Sequence, residues 1–460
     1  MRLPLPIHSY DDAPSDAMRL VNVMPEVLLG GAKGPMQLVR CPGVRALASL
    51  GNGPGRGLAV HQNRLYAVSG DKVYKISHTG AATNIGTIPG TGRTYRASNG
   101  IQLVIIADSA GYSVNTGVDP ISDSDFTSRD PGACGFADNF IALVERSSGR
   151  WFISDLADGT VYDPLDFATA EGDPDNLISL IVDHRQVILF GARTVEVWYN
   201  AGATGFPFER MPGGFIELGC LAEHSPTKAD NSVFWLASDR TWRRLSGSTP
   251  VRVSSHGMER AIARYATVSD AEGYAFTVDG HVCVALSFPT EGATWVLDIT
   301  TGEVHERSSY LNQVWAVTDS VTIDGVTYVQ HRETGAVGIL DPDTFTEWGE
   351  PIRSSWVYGS VTKEGKRVFH RGLYVRCQTG VGLVAGQGFD PVIGLDWSDD
   401  GGQTWNAAPM ASLGKLGDRA RIVTWSALGS SRDRVYRNWV SDPVQVKIHA
   451  AELEADVGTS

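Results

Sequence analysis

The sequence predicts an all-β chain: a β-propeller of six or seven blades, a C-terminal β-sandwich-like domain, and an extended N-terminal arm. Three observations carry this. The stretch Gly57–Ser77, GLAVHQNRLYAVSGDKVYKIS, alternates apolar and polar residues on either side of a Ser69-Gly70-Asp71 turn. Alternation with period 2 marks strands that bury one face. Related stretches return at intervals of roughly forty residues as far as Pro351, the spacing of propeller blades. The composition agrees: 51 Gly and 22 Pro imply many tight turns, and 12 Trp suit packed sheets.

The arm comes first, over residues 1–56. It is rich in Pro and Gly and does not fit the repeat. Leu20–Met24 and Met36–Arg40 read as short strands joined by a Gly30-Gly31 turn. The first fifteen or so residues are expected to be a free tail, and the rest to pack along another domain or a neighbouring subunit.

The propeller is expected over residues 57–352. Its units are Gly57–Pro89, Tyr95–Asn115, Gly135–Ala170, Leu177–Arg210, Gly219–Ser254, Ala271–Arg307 and Val314–Ile352. In most of them a strand ends in a polar turn such as Asp138-Asn139 or Asp279-Gly280. An apolar strand, a second turn and an aromatic-bearing strand follow. Four strands per unit would make a blade, and closing the ring removes exposed sheet edges. One segment breaks the pattern: Ser254–Tyr265 sets Met258, Ile262 and Tyr265 at helical spacing, so a short amphipathic packing helix is predicted there.

From 353 to 455 the texture changes to six strands in a sandwich: Arg353–Tyr358, Arg371–Cys377, Val392–Trp397, Arg421–Trp425, Val435–Val440 and Val444–Ala450. Residues 456–460 are expected to fray.

Composition narrows the function. A formal net charge of −13 argues against a nucleic-acid-binding surface. The five cysteines, Cys41, Cys134, Cys220, Cys283 and Cys377, form no C-x-x-C pair. Free thiols in a reducing compartment are expected. No signal peptide or membrane-length apolar stretch is seen, so the chain is expected to be soluble and made in the cytosol, without membrane insertion.

Catalytic signatures are missing: no H-E-x-x-H, G-x-S-x-G, P-loop or calcium-loop array occurs, so no cofactor, metal or catalytic residue is assigned. The sharpest local motif is Ser398-Asp399-Asp400-Gly401-Gly402-Gln403-Thr404-Trp405, which matches the Asp-box pattern S-x-D-x-G-x-T-W. Its chemistry is a hairpin turn: Asp400 accepts backbone N–H bonds, Gly402 takes positive φ, and Trp405 packs beneath. Ser398, Asp400, Gly402, Thr404 and Trp405 are therefore read as a structural turn. Asp boxes recur in sialidases, which leaves a sialidase-like glycan-binding or glycan-hydrolysing propeller as the competing reading. An arginine triad converging at the propeller centre would favour it. The carboxylate pairs Asp173/Asp175 and Asp341/Asp343 flank prolines and read as turn formers. Arg240, Arg243 and Arg244 flank Trp242, and further arginines crowd Trp425 and Trp439. Salt bridging is the ordinary role for such residues. Arg432, Arg434, Arg437 and Trp439 are also candidate subunit contacts, since Arg and Trp are enriched at interfaces.

Several segments together resemble one family. They are LVNVMPE near Leu20, RCPGV at Arg40–Val44, RLYAVSGDKVYKI at Arg64–Ile76, WFISDLADGTVYDPLDFATAE at Trp151–Glu171 and DHRQVILFGARTVEVWYN at Asp183–Asn200. SSHGMERAI, LDWSDDGGQTW and GSSRDRVYRNWVSDPV complete the set. In this order and spacing the chain resembles the packaged-DNA stabilisation proteins of short-tailed bacteriophages (podoviruses), the tail accessory or nozzle component. The resemblance implies a non-enzymatic structural protein of the virion tail, assembled in the host cytoplasm. It implies a homo-hexameric ring below the portal and adaptor that retains packaged DNA, guides its ejection and receives a tail needle or plug, with tailspike or fibre as a further neighbour. Genomic DNA would pass through the lumen without specific binding, in keeping with the acidic balance.

Overall fold

The computed structural model describes residues 1–9, 18–28, 36–170 and 172–458. Six blades are each built from four consecutive antiparallel strands. They begin with Gly55–His61 (blade 1), Thr94–Ser98 (blade 2), Pro131–Ala137 (blade 3), Leu177–Asp183 (blade 4), Thr227–Ala229 (blade 5) and Glu272–Val278 (blade 6). A seventh blade is composite. Val317–Ile323, Val326–His331 and Val337–Asp341 are completed by Gly43–Ala48 from the N-terminal region.

The turns explain the regularity. In blades 1, 3, 4, 5, 6 and 7 the first two strands are joined by two residues of positive φ: Gln62-Asn63, Asp138-Asn139, His184-Arg185, Asp230-Asn231, Asp279-Gly280 and Asp324-Gly325. Such turns match the right-handed twist of a hairpin. Seven apolar clusters lie one at each blade–blade interface, and an eighth fills the sandwich. No blade buries both faces alone, so stacking around the ring supplies the core. The helix His256–Arg264, capped by Ser255, buries Met258 and Ile262 between blades 5 and 6.

The sandwich has two sheets. One runs Val23–Val27, Met36–Arg40, Lys447–Val457, Val368–Cys377, Val423–Ser426. Pro25 sits on its edge strand, where a missing N–H is tolerated. The other runs Leu20–Val21, Ser354–Val357, Asp433–Val440, Val392–Ser398, Asn406–Ala407. Val21 also pairs in parallel with Glu306, so this sheet continues that of blade 6. Propeller and sandwich are thus joined by backbone hydrogen bonds.

Three expectations are corrected. The N-terminal stretch is no separate arm: its strands lie in the sandwich and in blade 7, because their apolar residues Leu20, Val23, Leu38 and Val44 find cores there. Residues 1–9 are not a free tail, since Arg2–Leu3 pairs with Ala451–Glu452 and Ser9 N–H donates to Val304 O. The C-terminus does not fray at 456: Asp456 and Val457 pair with Phe369 and Val368. The Gly30-Gly31 turn lies outside the described residues.

Candidate functional site

The first strands of the seven blades line the propeller axis, and most place a polar residue at its start or middle. At the centre Arg96 Nη2 lies 2.7 Å from Asp319, Arg332 Nη1 2.6 Å from Glu272, and Arg93 3.2 Å from Glu272 and 3.7 Å from Asp319. Asp319 also accepts the N–H of Leu58 at 2.8 Å, which ties blade 7 to blade 1. Burial works against the Arg93 charge, but Glu272 and Asp319 outweigh it and hold its pKa above the ordinary value. Nearby, Tyr95 stacks on His224 at 4.6 Å, and Glu223 pairs with Arg146 and His224. Burial, partly offset by Glu223, lowers the His224 pKa. The cleft at this point measures about 330 Å³.

Gly57, in the phrase that first signals the repeat, is part of this arrangement. Its φ of 148° disfavours other residues, and a Cβ there would run into the Arg96 guanidinium. The glycine therefore makes room for the arginine. Sequence reading missed the axial residues because they lie in different blades. Charged residues opening first strands, as in GRTYRAS, AEGYAF and VTDSVT, were the available signal once the repeats are aligned by register. Three arginines do converge at the centre, the feature named for a sialidase-like propeller. They face two carboxylates, however, and do not form an open cationic pocket.

The Asp-box residues come together as a turn. Asp400 accepts from the Ser398 and Thr404 hydroxyls and from the Gln403 and Thr404 backbone N–H groups at 2.6–3.0 Å. These bonds, Ser398 first, hold its carboxyl well below the ordinary range. Gly402 has φ 95°. Trp405 is half-buried and lies under the Arg437 guanidinium, 4.0 Å from its ring.

The arginine cluster divides. Arg434 is 3 % exposed and holds Asp399 in a two-pronged contact of 2.6 and 2.8 Å, which takes it out of the set of surface contacts. Arg437 pairs with Asp396 at 2.7 Å, and Trp439 carries Arg353 on its ring at 4.6 Å. Arg432 is exposed, with one donor on Gly365 O. The earlier cluster is likewise internal: Arg240 caps the helix carbonyls of Ile262 and Tyr265, while Arg243 and Arg244 pair with Asp239 and Asp230. Asp341 accepts the N–H of Asp343 within its own turn, as expected, whereas Asp175 accepts those of Arg193 and Thr194 and Asp173 pairs with Arg193 at 3.0 Å, so this pair ties its loop to the one after Gln186–Gly191. Burial raises the thiols of Cys134 and Cys220 to about 12 and about 11, which makes them poor nucleophiles. Among the described residues no group of metal-ligating side chains converges, and no helix is long and apolar enough to cross a membrane.

Two family models match the chain in order. That of the bacteriophage P22 Gp10 β-propeller covers residues 10–345, and that of the P22 Gp10 β-sandwich covers 357–456. The tail hub protein gp10 of Salmonella phage P22 is 24 % identical over 268 residues, 52 % of this chain and 54 % of that protein. The chain thus spans about half the length of the curated relative it matches. Solved structures similar to it include the Neurospora crassa Pan2 WD40 domain (TM-score 0.42, 10 % identity, 64 % of this chain and 94 % of that one). A computationally designed protein, Ika8, is also similar (TM-score 0.40, 16 % identity, 64 % and 99 %). Those scores are too low to bear on function. The two consecutive domain matches decide the matter: the chain belongs to the bacteriophage P22 Gp10 family of phage tail hub and stabilisation proteins.

Proposed function

We propose that this chain is a structural protein of a phage tail that forms the distal tail tube, or nozzle, as a homo-hexameric ring below the portal and adaptor. The ring retains packaged DNA and guides its ejection. The observation that carries this reading is membership of the P22 Gp10 family over both bodies of the chain. The architecture supports it. A ring closed by its own N-terminal strand and fused through its sheet to a sandwich is a rigid block, suited to a wall that must bear internal pressure. The function then lies in assembly and not in turnover, with the adaptor, a needle or plug, and tailspike or fibre as neighbours. The net charge of −13 disfavours the phosphate contacts that would hold DNA in a tube it must pass through. Arg432, Arg437 and Trp439 are the sandwich residues assigned to subunit contact.

The test is a phage carrying a nonsense mutation in this gene, grown in a non-suppressing host. Heads that fill with DNA and then lose it, with release prevented by adding back the purified protein, support the reading. Particles that keep their DNA and infect normally without the chain overturn it.

A further inference from the structure

We propose that the outer cleft between blades 1 and 2 binds a phosphate monoester, held by Arg64 and Lys75. The cleft measures about 690 Å³ and is lined by both blades. Apolar residues fill the inner part of this interface, among them Val68 and Val73 of blade 1 and Leu103 and Ile105 of blade 2. Outside that core the wall of blade 1 turns polar. Tyr66 pairs with Lys75, and Lys75 with Thr83, in one row across three strands. Arg64 precedes Tyr66 by two residues, which puts it on the same face and diagonal to Lys75. Diagonal neighbours in an antiparallel pair stand about 7–8 Å apart, within reach of two long side chains that close on one anion. Asn115 and Thr116 supply the wall from blade 2.

Both cations are reachable and unspent. Arg64 is exposed and Lys75 half-buried, and among the described residues neither side chain has an ion-pair or hydrogen-bond partner. No Asp or Glu lines the cleft. Elsewhere around the ring the adjoining blade supplies one: Arg185 of blade 4 pairs with Asp138 of blade 3, and Lys228 of blade 5 with Asp183 of blade 4. Tyr66 is 4 % exposed, yet its hydroxyl is not sealed in and bonds no described protein group, so it opens on the cleft as a further donor. A phosphate monoester matches this set. It carries about 1.5–2 negative charges at neutral pH. It takes a two-pronged contact from an arginine and a point charge from a lysine, and its remaining oxygens accept from hydroxyls. The volume lies in the range of small-molecule sites, about 300–1,000 Å³, which leaves room for a sugar-sized body behind the phosphate. The assignment does not rest on ring assembly.

The experiment titrates the full chain with glucose 6-phosphate, inorganic phosphate and glucose at fixed ionic strength. The 31P chemical shift of the two phosphates and the thermal unfolding midpoint are followed. A ligand that binds only the folded state raises the midpoint in a saturable way. The expected result is saturable binding of glucose 6-phosphate and none of glucose. Arg64→Met and Lys75→Met should each weaken that binding at least tenfold. Neither substitution removes a polar contact within the protein, so both variants should keep the parent's midpoint in the absence of ligand. Inorganic phosphate separates the sources. Binding at least tenfold weaker than that of glucose 6-phosphate assigns a sugar phosphate, and equal binding assigns free phosphate. No saturable binding of either phosphate, or binding undiminished in both variants, would overturn the assignment. So would a DNA duplex that binds more tightly than both phosphates and is released by Lys75→Met, since the cleft would then serve a nucleic-acid backbone.

Discussion

Replacing Arg40 by Met should uncouple the sandwich from the propeller. Arg40 is 2 % exposed and stands where the N-terminal strand, the interdomain segment and the C-terminal strands meet. Its Nε donates to Ser354 Oγ at 2.9 Å and its Nη1 to Val444 O at 3.0 Å, and it also reaches Ile352 O and Asp442 O. Burial pulls its pKa down to about 10, which measures how hard the charge is to hold there. Hydrogen bonds from a charged donor contribute about 1.5–3 kcal/mol each, and an orphaned buried acceptor costs about 1–3 kcal/mol. Relief of the buried charge offsets part of this, so the net loss should be about 3–5 kcal/mol, as for breaking a buried ionic contact. Lys cannot reach three carbonyls at once, so Arg40→Lys should lose most of the same amount. Urea unfolding followed by tryptophan fluorescence, with limited proteolysis alongside, reads the effect. The sandwich should unfold in its own transition, below that of the propeller. A single transition within about 0.5 kcal/mol of the parent would refute the reasoning, since surface substitutions fall in that range.

Four further expectations follow from the same contacts. Gly57→Ala should displace the Arg96 guanidinium and destabilise the propeller by about 2–4 kcal/mol, combining positive-φ strain with a clash; an unchanged denaturation midpoint contradicts it. Asn22→Ala removes bonds to Ser308 O (2.8 Å), Arg353 O (2.9 Å) and Ser308 N (3.1 Å) from a residue at φ 56°, and should cost about 2–4 kcal/mol in the same assay. The Asp400 carboxyl is depressed, so its support for the turn is present above pH 3.8 and is lost only as pH falls through a still lower value. Amides of Gln403 and Thr404 should therefore stay protected from exchange at pH 4 and lose protection in Asp400→Ala. Burial lowers His370 to about 4, so the folded sandwich resists a proton that the unfolded chain accepts below pH 6.5. Stability should fall as pH drops from 6.5 to about 4, and His370→Gln, which can keep the bond to Ser431, should flatten that fall.

Much of the fold was legible because it is written locally. LIVDHRQVILFGARTVEVWY divides into Leu177–Asp183, Gln186–Gly191 and Val195–Asn200 at its turn residues, as alternation and polar dipeptides indicate. The Ser255 cap and the buried Met258 and Ile262 follow helical spacing in the same way. What escaped is non-local. Val118–Pro120, the fourth strand of blade 2, is short, exposed and ends in Pro, so nothing in it alternates. Gly43–Ala48 carries no sign that its partner is Val337–Asp341, because pairing across that separation depends on the closed ring. The same holds for the site. Asp400 and its donors lie within one turn and could be named from spacing, whereas Arg93, Arg96, Glu272, Asp319 and Arg332 meet only after blades 2, 6 and 7 surround one axis. Arg434 was misjudged for a related reason: its partner Asp399 comes from a neighbouring strand's turn and draws it inward.

Electron cryo-microscopy of tails from purified virions tests ring assembly most directly. Six copies of this propeller–sandwich block should appear around the DNA axis beyond the adaptor, with Arg432 and Trp439 within contact distance of a neighbouring copy. Virions that lack the chain, or that carry it as an isolated copy off the axis, would contradict the proposed role.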